Sequence, residues 1–189
     1  CCYPSEQGLI AAQARLLGAA MAENTNGAPT RILFSAHGLP EKIVARGDPY
    51  PQQIEMTAAA IAKAAGLADN DWMICYQSRV GRLKWIGPSL DEALQSAADD
   101  GVGVVVLPIA FVSEHSETLV ELDIEYREMA QRLGIGTYIR VPVPGTEPEF
   151  IAGLANLVRA GFAAQRPLSP NGGARLCPMG RTACPYRPG

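Results

Sequence analysis

The chain has 189 residues, of which 48% are hydrophobic, and this is enough apolar material for one well-packed domain. Its formal net charge is −3 and no run of Lys or Arg forms a basic stripe, so nothing supports a nucleic-acid partner. The longest apolar stretches, such as Val104–Val112, are too short to span a bilayer, and the first residues do not resemble a signal peptide. Because the sequence opens on Cys1 and not on Met, we interpret it as a fragment or a processed piece.

Short apolar runs alternate with longer amphipathic ones, a pattern typical of βα units around a parallel sheet. A first helix is predicted over Glu6–Glu23. The predicted strands are Arg31–Ala36, Trp72–Tyr76, Gly103–Ala110 and Thr137–Val141. The third of these strands is apolar without alternation, which indicates that helices cover both faces of the sheet.

Residues that start and end helices lie between the predicted strands. Pro51 and Gly66 delimit one helix, and Ser89 with Glu92 has the spacing of a capping box. The longest predicted helix is Ser116–Leu133, which ends before a glycine. The sequence therefore predicts an α/β fold, a parallel sheet flanked by helices. We expect a helical segment at 1–29, the α/β domain at 30–165, and a Pro- and Gly-rich tail at 166–189.

The two histidines each come shortly after a predicted strand. His37 follows the first strand, and His115 follows the third between Glu114 and Glu117. Sites in open α/β sheets form at the carboxyl ends of the strands. A single histidine is more often a structural residue, but this pair at one sheet edge favours a functional site.

Three glutamates follow His115 at intervals of four residues, which places them on one face of a helix: Glu117, Glu121 and Glu125. Like charges at this spacing cost an isolated helix about 0.2–0.5 kcal/mol per pair. One interpretation is a solvated acidic face. The other is a row of carboxylates that conducts or holds a divalent cation, and mixed N and O ligands suit Fe²⁺ without selecting it over Zn²⁺.

Six sequence blocks occur together in a fixed order. They are Ser35–Pro40, Arg46–Pro51, Tyr76–Gly81, Trp85–Pro88, Pro108–Phe111 and His115–Asp123. This ordered set resembles the signature of the ferrochelatases, from about residue 30 to 160. The resemblance implies a Rossmann-like chelatase domain, the second of two similar domains that face each other across a porphyrin cleft. An N-terminal domain of the same enzyme is then the expected partner.

The resemblance also implies an activity, the insertion of Fe²⁺ as substrate into protoporphyrin IX, or into a coproporphyrin, to form haem. It implies a cytoplasmic enzyme with peripheral contact to the inner membrane. By resemblance, the catalytic and metal-binding residues are His37 and Glu117, the metal-delivery ridge is His115, Glu121 and Glu125, and the porphyrin-pocket aromatic is Trp85. For Trp85, a core or surface anchor is the alternative.

Some ferrochelatases hold a [2Fe–2S] cluster with one mid-chain cysteine and three cysteines near the C-terminus. Cys2, Cys177 and Cys184 resemble three of these ligands, but Gly180 and Tyr186 occupy the candidate positions of the third tail cysteine. Cys1 would supply the fourth thiolate. The alternative is a set of thiols without a cluster on a loose tail. The fifth cysteine, inside the second predicted strand, is interpreted as a small core residue.

Two other functions stay open at this stage. The first is another tetrapyrrole chelatase, such as a cobalt or sirohydrochlorin enzyme, against which the blocks around Asp48 and Trp85 argue. The second is a porphyrin-binding module without turnover, which the presence of both His37 and Glu117 disfavours. Metal and porphyrin preference would distinguish the first alternative from a ferrochelatase, and a measurement of turnover would distinguish the second.

Overall fold

Four parallel strands form the sheet within the part of the chain that this computed structural model describes, residues 2–25, 27–163 and 175–186. They are β1 (Thr30–His37), β2 (Trp72–Gln77), β3 (Gly103–Pro108) and β4 (Tyr138–Arg140). The strand order is β2-β1-β3-β4, and every neighbouring pair is parallel. The predicted α/β fold is confirmed, and each predicted strand is found with its ends shifted by one or two residues.

Helices connect these strands. They are α1 (Gln7–Ala22), α2 (Glu41–Ala45), α3 (Tyr50–Ala65), α4 (Leu90–Asp99), α5 (Ser116–Leu119), a π-helix (Glu121–Tyr126), α6 (Arg127–Arg132) and α7 (Pro148–Ala163). The start and stop signals act as predicted. Ser89 and Glu92 form the capping box of α4, and Gly66 ends α3 in the left-handed conformation. Within the described ranges, no helix is long and apolar enough to cross a membrane.

The core lies on both faces of the sheet. Ile32 and Phe34 of β1 pack on the face that α1 and α3 cover, whereas Leu33 between them packs with Leu90 of α4. This alternation follows from the two-residue period of a strand. Cys75 of β2 is fully buried in the second cluster, which confirms it as a core residue, and burial raises the pKa of its thiol to about 12.

The prediction of one continuous helix over Ser116–Leu133 was wrong in its middle. The backbone N–H groups of Ile124 and Glu125 both lie 3.0 Å from the Val120 carbonyl oxygen, which marks the change from four-residue to five-residue hydrogen bonding. One turn later, the Leu122 carbonyl accepts a hydrogen bond from the Tyr138 hydroxyl of β4 at 2.8 Å. A contact with the sheet edge thus supports the wide turn.

Residues 175–186 of the predicted tail pack against the turn that precedes α3. The Ala183 N–H donates to the Gly47 carbonyl at 3.2 Å, and the Thr182 hydroxyl donates to the Arg46 carbonyl at 3.2 Å. Gly47 has φ +95°, and a Cβ there would lie 2.7 Å from the Thr182 nitrogen. Only glycine permits both the left-handed backbone and this close approach. The tail therefore touches the loop that leads into the candidate site.

Candidate functional site

His37 and Glu117 meet at the carboxyl ends of the strands. His37 is the last residue of β1, and Glu117 lies in the first turn of α5, after β3. The distance from His37 Nε2 to Glu117 Oε1 is 3.4 Å. Their side chains are 42% and 38% exposed, so both remain accessible to a bound molecule. The structure thus brings together the two residues that the sequence singled out as a pair.

The hydrogen bonds of His37 fix its tautomer. Its Nδ1 lies 2.7 Å from the Gly38 carbonyl oxygen, which can only accept a hydrogen bond. Nδ1 therefore carries the proton of the neutral ring, and the lone pair of Nε2 faces Glu117. A proton taken up at Nε2 would create an imidazolium that the Glu117 carboxylate stabilises.

The second histidine has the opposite tautomer. His115 caps α5, and its Nδ1 accepts a hydrogen bond from the Glu117 N–H at 3.2 Å. The proton of the neutral ring is then on Nε2. His115 Nδ1 lies 4.0 Å from Glu117 Oε2, and the ring packs 5.2 Å from the ring of Phe111. His115 therefore lies next to the pair, but the lone pair of its Nδ1 already accepts a hydrogen bond at the start of α5.

The carboxylates of the predicted ridge differ in their surroundings. Glu121 accepts hydrogen bonds from the Ser78 N–H at 2.7 Å, from the Ser78 hydroxyl at 2.5 Å and from Gln77 Nε2 at 3.1 Å. Ser78 has φ +58°, a left-handed conformation that aims its backbone N–H at this carboxylate. Glu125 is exposed, and its side chain has no hydrogen bond or ion pair with any other described residue. Glu121 therefore anchors the π-helix to the end of β2, whereas Glu125 faces solvent.

A cleft of about 480 Å³ opens beside His37. Tyr50 lies on one side of it, where its hydroxyl donates to the His37 carbonyl at 3.1 Å. Burial of Tyr50 raises the pKa of its hydroxyl, which therefore remains a neutral donor. An adjoining cavity of about 230 Å³ shares Tyr50, Gln53 and Ala110 with the cleft and extends to Cys2. The volume of the cleft is in the range of small-molecule sites.

Trp85 lies over the backbone next to His37. A Cβ at Gly38 would be 3.2 Å from Trp85 Cε3 and 2.9 Å from Arg79 Cγ, so the glycine allows the ring to come close. Trp85 also pairs with Pro40 in an isolated antiparallel bridge. Its Nε1 is buried and lacks a hydrogen-bond partner within residues 2–25, 27–163 and 175–186. A buried indole N–H usually has an acceptor.

Three cysteines come together beside the cleft. Burial raises the pKa of the Cys2 thiol, and the neighbouring Cys177 thiol raises it further. Burial also raises the pKa of Cys177, with Cys184 acting in the same direction and a hydrogen bond from Gln53 acting against it. None of the described cysteines forms a disulfide. The predicted fourth ligand, Cys1, lies outside the described residues.

These three thiols have the chemistry of iron–sulfur ligands, but their arrangement is not that of a metal site. Thiolates are the ligands that iron–sulfur clusters require, and the structure brings three of the four predicted ones together. In the described portion of the chain, no group of three or more His, Cys, Asp or Glu side chains has the geometry of a metal site. The donor set fits a cluster if Cys1 joins it.

Comparison with known families identifies the chain. The family profile described as ferrochelatase matches residues 1–161. The chain belongs to the ferrochelatase family. This match confirms the family that the six ordered sequence blocks predicted.

Ferrochelatases of three bacteria illustrate the similarity. The chain is 50% identical to the ferrochelatase of Caulobacter vibrioides (strain NA1000 / CB15N) over 189 residues, which cover 100% of the chain and 54% of that protein. It is 48% identical to the ferrochelatase of Phenylobacterium zucineum, covering 97% of the chain and 53% of the relative. For Rickettsia conorii the identity is 41%, with 97% and 53% covered. The chain thus spans about half the length of the ferrochelatases it matches.

One group of site residues in this ferrochelatase domain was missed by the sequence analysis. Arg140 of β4 is only 10% exposed at its side chain. Its Nε and Nη2 donate to the two carboxylate oxygens of Asp123 at 3.0 and 2.6 Å, and its Nη1 donates to Glu114 Oε1 at 2.6 Å. A charged residue inside a short apolar strand was the available signal, because a buried charge requires partners.

A hydrogen bond from Arg140 helps to keep Glu114 ionised. Burial raises the pKa of Glu114, but hydrogen bonds from Arg140, the Thr118 hydroxyl and the Val143 N–H together outweigh it, so this pKa lies below its usual value. Glu114 directly precedes His115, and Asp123 lies in the π-helix. Arg140 therefore ties both ends of the His115–Asp123 segment to the sheet.

Proposed function

We propose that this chain is the C-terminal part of an enzyme that inserts Fe²⁺ into protoporphyrin IX to form protohaem. The observation that carries the proposal is the pair of His37 and Glu117, 3.4 Å apart, with His37 lining a cleft, in a chain of the ferrochelatase family. An N-terminal half of the same enzyme would supply the opposite wall of the porphyrin cleft, since the matched relatives are about twice as long.

The proposed chemistry assigns one step to each member of the pair. Metal insertion requires that two pyrrole N–H protons leave while Fe²⁺ exchanges water for four nitrogens. His37 Nε2 has the lone pair that accepts a proton, because Nδ1 already carries one. The Glu117 carboxylate offsets the charge of the imidazolium and of the incoming cation. Water accepts the second pyrrole proton. Before Nε2 is protonated, its lone pair can instead bind the metal together with the Glu117 carboxylate.

The proposed metal route follows His115, Glu121 and Glu125. The exposure of Glu125 supports a role in capturing Fe²⁺ from solvent. Glu121 has hydrogen-bond partners, so it would contribute negative charge more readily than a vacant coordination position. His115, whose Nδ1 accepts the Glu117 N–H, would contribute a polar group beside the route. Trp85, whose ring lies over Gly38 next to His37, would contact the porphyrin.

We further propose that Cys1, Cys2, Cys177 and Cys184 hold a [2Fe–2S] cluster. Support comes from the proximity of three of these thiols and from their soft-ligand chemistry. Bound there, a cluster would join the start of the chain to the tail through iron–thiolate bonds. The raised thiol pKa values imply that cluster assembly releases protons, because the ligands must be thiolates.

Visible iron–sulfur absorption is expected in protein purified without oxygen, with iron and acid-labile sulfide in equal amounts. Cys177→Ser should remove this absorption, because one of the four required ligands is lost. Cys75→Ala is the matched control and should keep this absorption, since the Cys75 side chain is packed in the hydrophobic core. Colourless protein after reconstitution with iron and sulfide would refute the cluster.

The boundaries and the location of the enzyme remain proposals as well. We propose a helical segment at 1–29, a chelatase domain at 30–165 and a cysteine-bearing tail at 166–189. We also propose that the enzyme is cytoplasmic and contacts the inner membrane peripherally, where the apolar porphyrin substrate partitions. Co-sedimentation with lipid vesicles, absent at high salt, is the measurement for this contact.

Metal insertion is the experiment that tests the proposed function. The chain, completed with an N-terminal half, is expected to convert protoporphyrin IX and Fe²⁺ to protohaem, measured anaerobically by the change in porphyrin absorption. Turnover of a coproporphyrin but not of protoporphyrin IX would keep the reaction and change the proposed substrate to the coproporphyrin. Preference for cobalt or for sirohydrochlorin, or porphyrin binding by folded protein without any insertion, would contradict the proposal.

A further inference from the structure

Gln77 connects the two members of the proposed catalytic pair. It is the last residue of β2, its Cα is paired in register with that of His37, and its side chain is fully buried. Its Nε2 donates a hydrogen bond to the Glu117 carbonyl at 2.8 Å and a second one to Glu121 Oε2 at 3.1 Å. Its Oε1 accepts from the Ser35 hydroxyl at 2.8 Å.

The partners of Gln77 leave its amide one orientation. A carbonyl and a carboxylate can only accept hydrogen bonds, so the NH₂ group must face Glu117 and Glu121. The Ser35 hydroxyl then donates to the amide oxygen. Every polar atom of this buried side chain is used, and networks of this kind favour one arrangement of the groups they join.

Arg140 and Ser78 bind the flanking residues of this segment, and the bond from Gln77 joins Glu117 itself to the sheet. The Glu117 N–H donates to His115 Nδ1, which belongs to the same helical turn and cannot fix that turn relative to β1. The Gln77 amide instead joins the Glu117 backbone to a strand that lies beside His37. The separation between His37 Nε2 and Glu117 Oε1 therefore depends on the length and direction of this side chain.

We propose that Gln77 is a positioning residue for metal insertion. It holds the Glu117 carboxylate at its distance from His37 Nε2 without touching the porphyrin or the metal. The inference rests on the proposed function. Its loss is expected to lower kcat, because displacement of a catalytic group by about 1 Å can cost about 100-fold in rate. The affinity for porphyrin should not change, since Gln77 is fully buried and presents no surface to a bound molecule.

Gln77→Met is the direct test, because Met has nearly the same shape but cannot donate a hydrogen bond. In the chain completed with an N-terminal half, we expect kcat for Fe²⁺ insertion to fall about 10- to 100-fold, with KM for porphyrin unchanged. Ser35→Ala is a milder variant, which removes the hydroxyl that orients the amide and should lower kcat by less. It keeps the test informative if Gln77→Met fails to fold.

Gln13→Met is the matched control. Gln13 is also a buried glutamine, with 2% exposure, and its Nε2 donates to a backbone carbonyl, that of Ile109, at 3.2 Å. Its replacement should lower thermal stability, by less than Gln77→Met does because one hydrogen bond is lost and not three, while kcat stays unchanged. An equal fall of kcat in both variants would show a merely structural role and overturn the inference.

The outcomes separate this inference from the function on which it rests. Wild-type protein that inserts metal, together with Gln77→Met and Ser35→Ala at wild-type kcat, would overturn the positioning role alone. Folded wild-type protein that binds porphyrin but inserts no metal would overturn the proposed function, and the inference with it. A fall of kcat in Gln77→Met with Gln13→Met unaffected would support both.

Discussion

His37→Ala is expected to abolish metal insertion while porphyrin still binds. In the proposed mechanism, His37 Nε2 is the atom that accepts a pyrrole proton, and no other imidazole in the described residues has a lone pair facing the Glu117 carboxylate at this distance. General-base catalysis contributes about 10²- to 10⁴-fold to a rate. The loss in kcat should be of that size, and the measurement is Fe²⁺ insertion followed by absorption beside porphyrin binding followed by fluorescence quenching.

His115→Ala is the control for this experiment, since it removes the other histidine of the chain from the same site. His115 Nδ1 is occupied by the Glu117 N–H, so this variant loses a helix cap and a polar group near the metal route, but not the proton acceptor. We expect a smaller fall in kcat than for His37→Ala. Near-normal turnover by His37→Ala, or an equal loss in both variants, would contradict the assigned roles.

Arg140→Met should be the most destabilising single substitution among those considered. It leaves Glu114 and Asp123 without the guanidinium that pairs with both, and removing one partner of a buried ion pair costs about 3–5 kcal/mol. Because Glu114 and Asp123 are 33% and 26% exposed, water compensates in part, and we expect about 3 kcal/mol. For a domain of this size that corresponds to a fall in Tm of roughly 6–12 °C, measurable by calorimetry.

The same substitution should change the ionisation of Glu114. Burial is the largest influence on this carboxyl group and raises its pKa, while the hydrogen bonds that oppose it include one from Arg140. Without Arg140 the pKa of Glu114 is expected to rise. Because Glu114 and Asp123 flank the turn that carries Glu117, metal insertion should fall together with stability.

Arg31→Met is the matched control for Arg140. Arg31 also lies on a strand and pairs with one carboxylate, that of Asp100, at 2.7 Å. Asp100 is 54% exposed, and a surface pair of this kind contributes about 0–1 kcal/mol. If Tm falls as far in Arg31→Met as in Arg140→Met, or falls in neither variant, the stabilising role of the Arg140 pairs with Glu114 and Asp123 is refuted.

Much of the architecture follows from local sequence alone. A non-alternating apolar run predicted β3, because a strand that helices cover on both faces has no polar side. The capping box at Ser89 and the glycine at 66 predicted helix ends, since those signals act within four residues. The rule that strand ends of a parallel sheet share one edge predicted a site at the two histidines, and the family resemblance paired His37 with Glu117.

Contacts between distant residues were beyond such reasoning. The π-helix was predicted as α-helix, because its widened turn depends on Tyr138, sixteen residues away from Leu122. Glu121 was predicted as a member of the metal-delivery ridge, but its hydrogen bonds to Ser78, 43 residues earlier, could not be predicted from local sequence. A loose tail was one of two interpretations of its composition, and in the described part of it Thr182 is bonded to Arg46 at a separation of 136 residues.

The sequence by itself determined the family, the α/β fold, and the identity and rough placement of the residues proposed for catalysis. These depend on ordered local motifs and on the periodicity of side chains along strands and helices. Only the tertiary structure decided the tautomers of the two histidines, the anchoring of Glu121 and the partners of Arg140. Those features depend on where donors and acceptors from separate segments meet, and hydrogen bonds act only over about 3 Å.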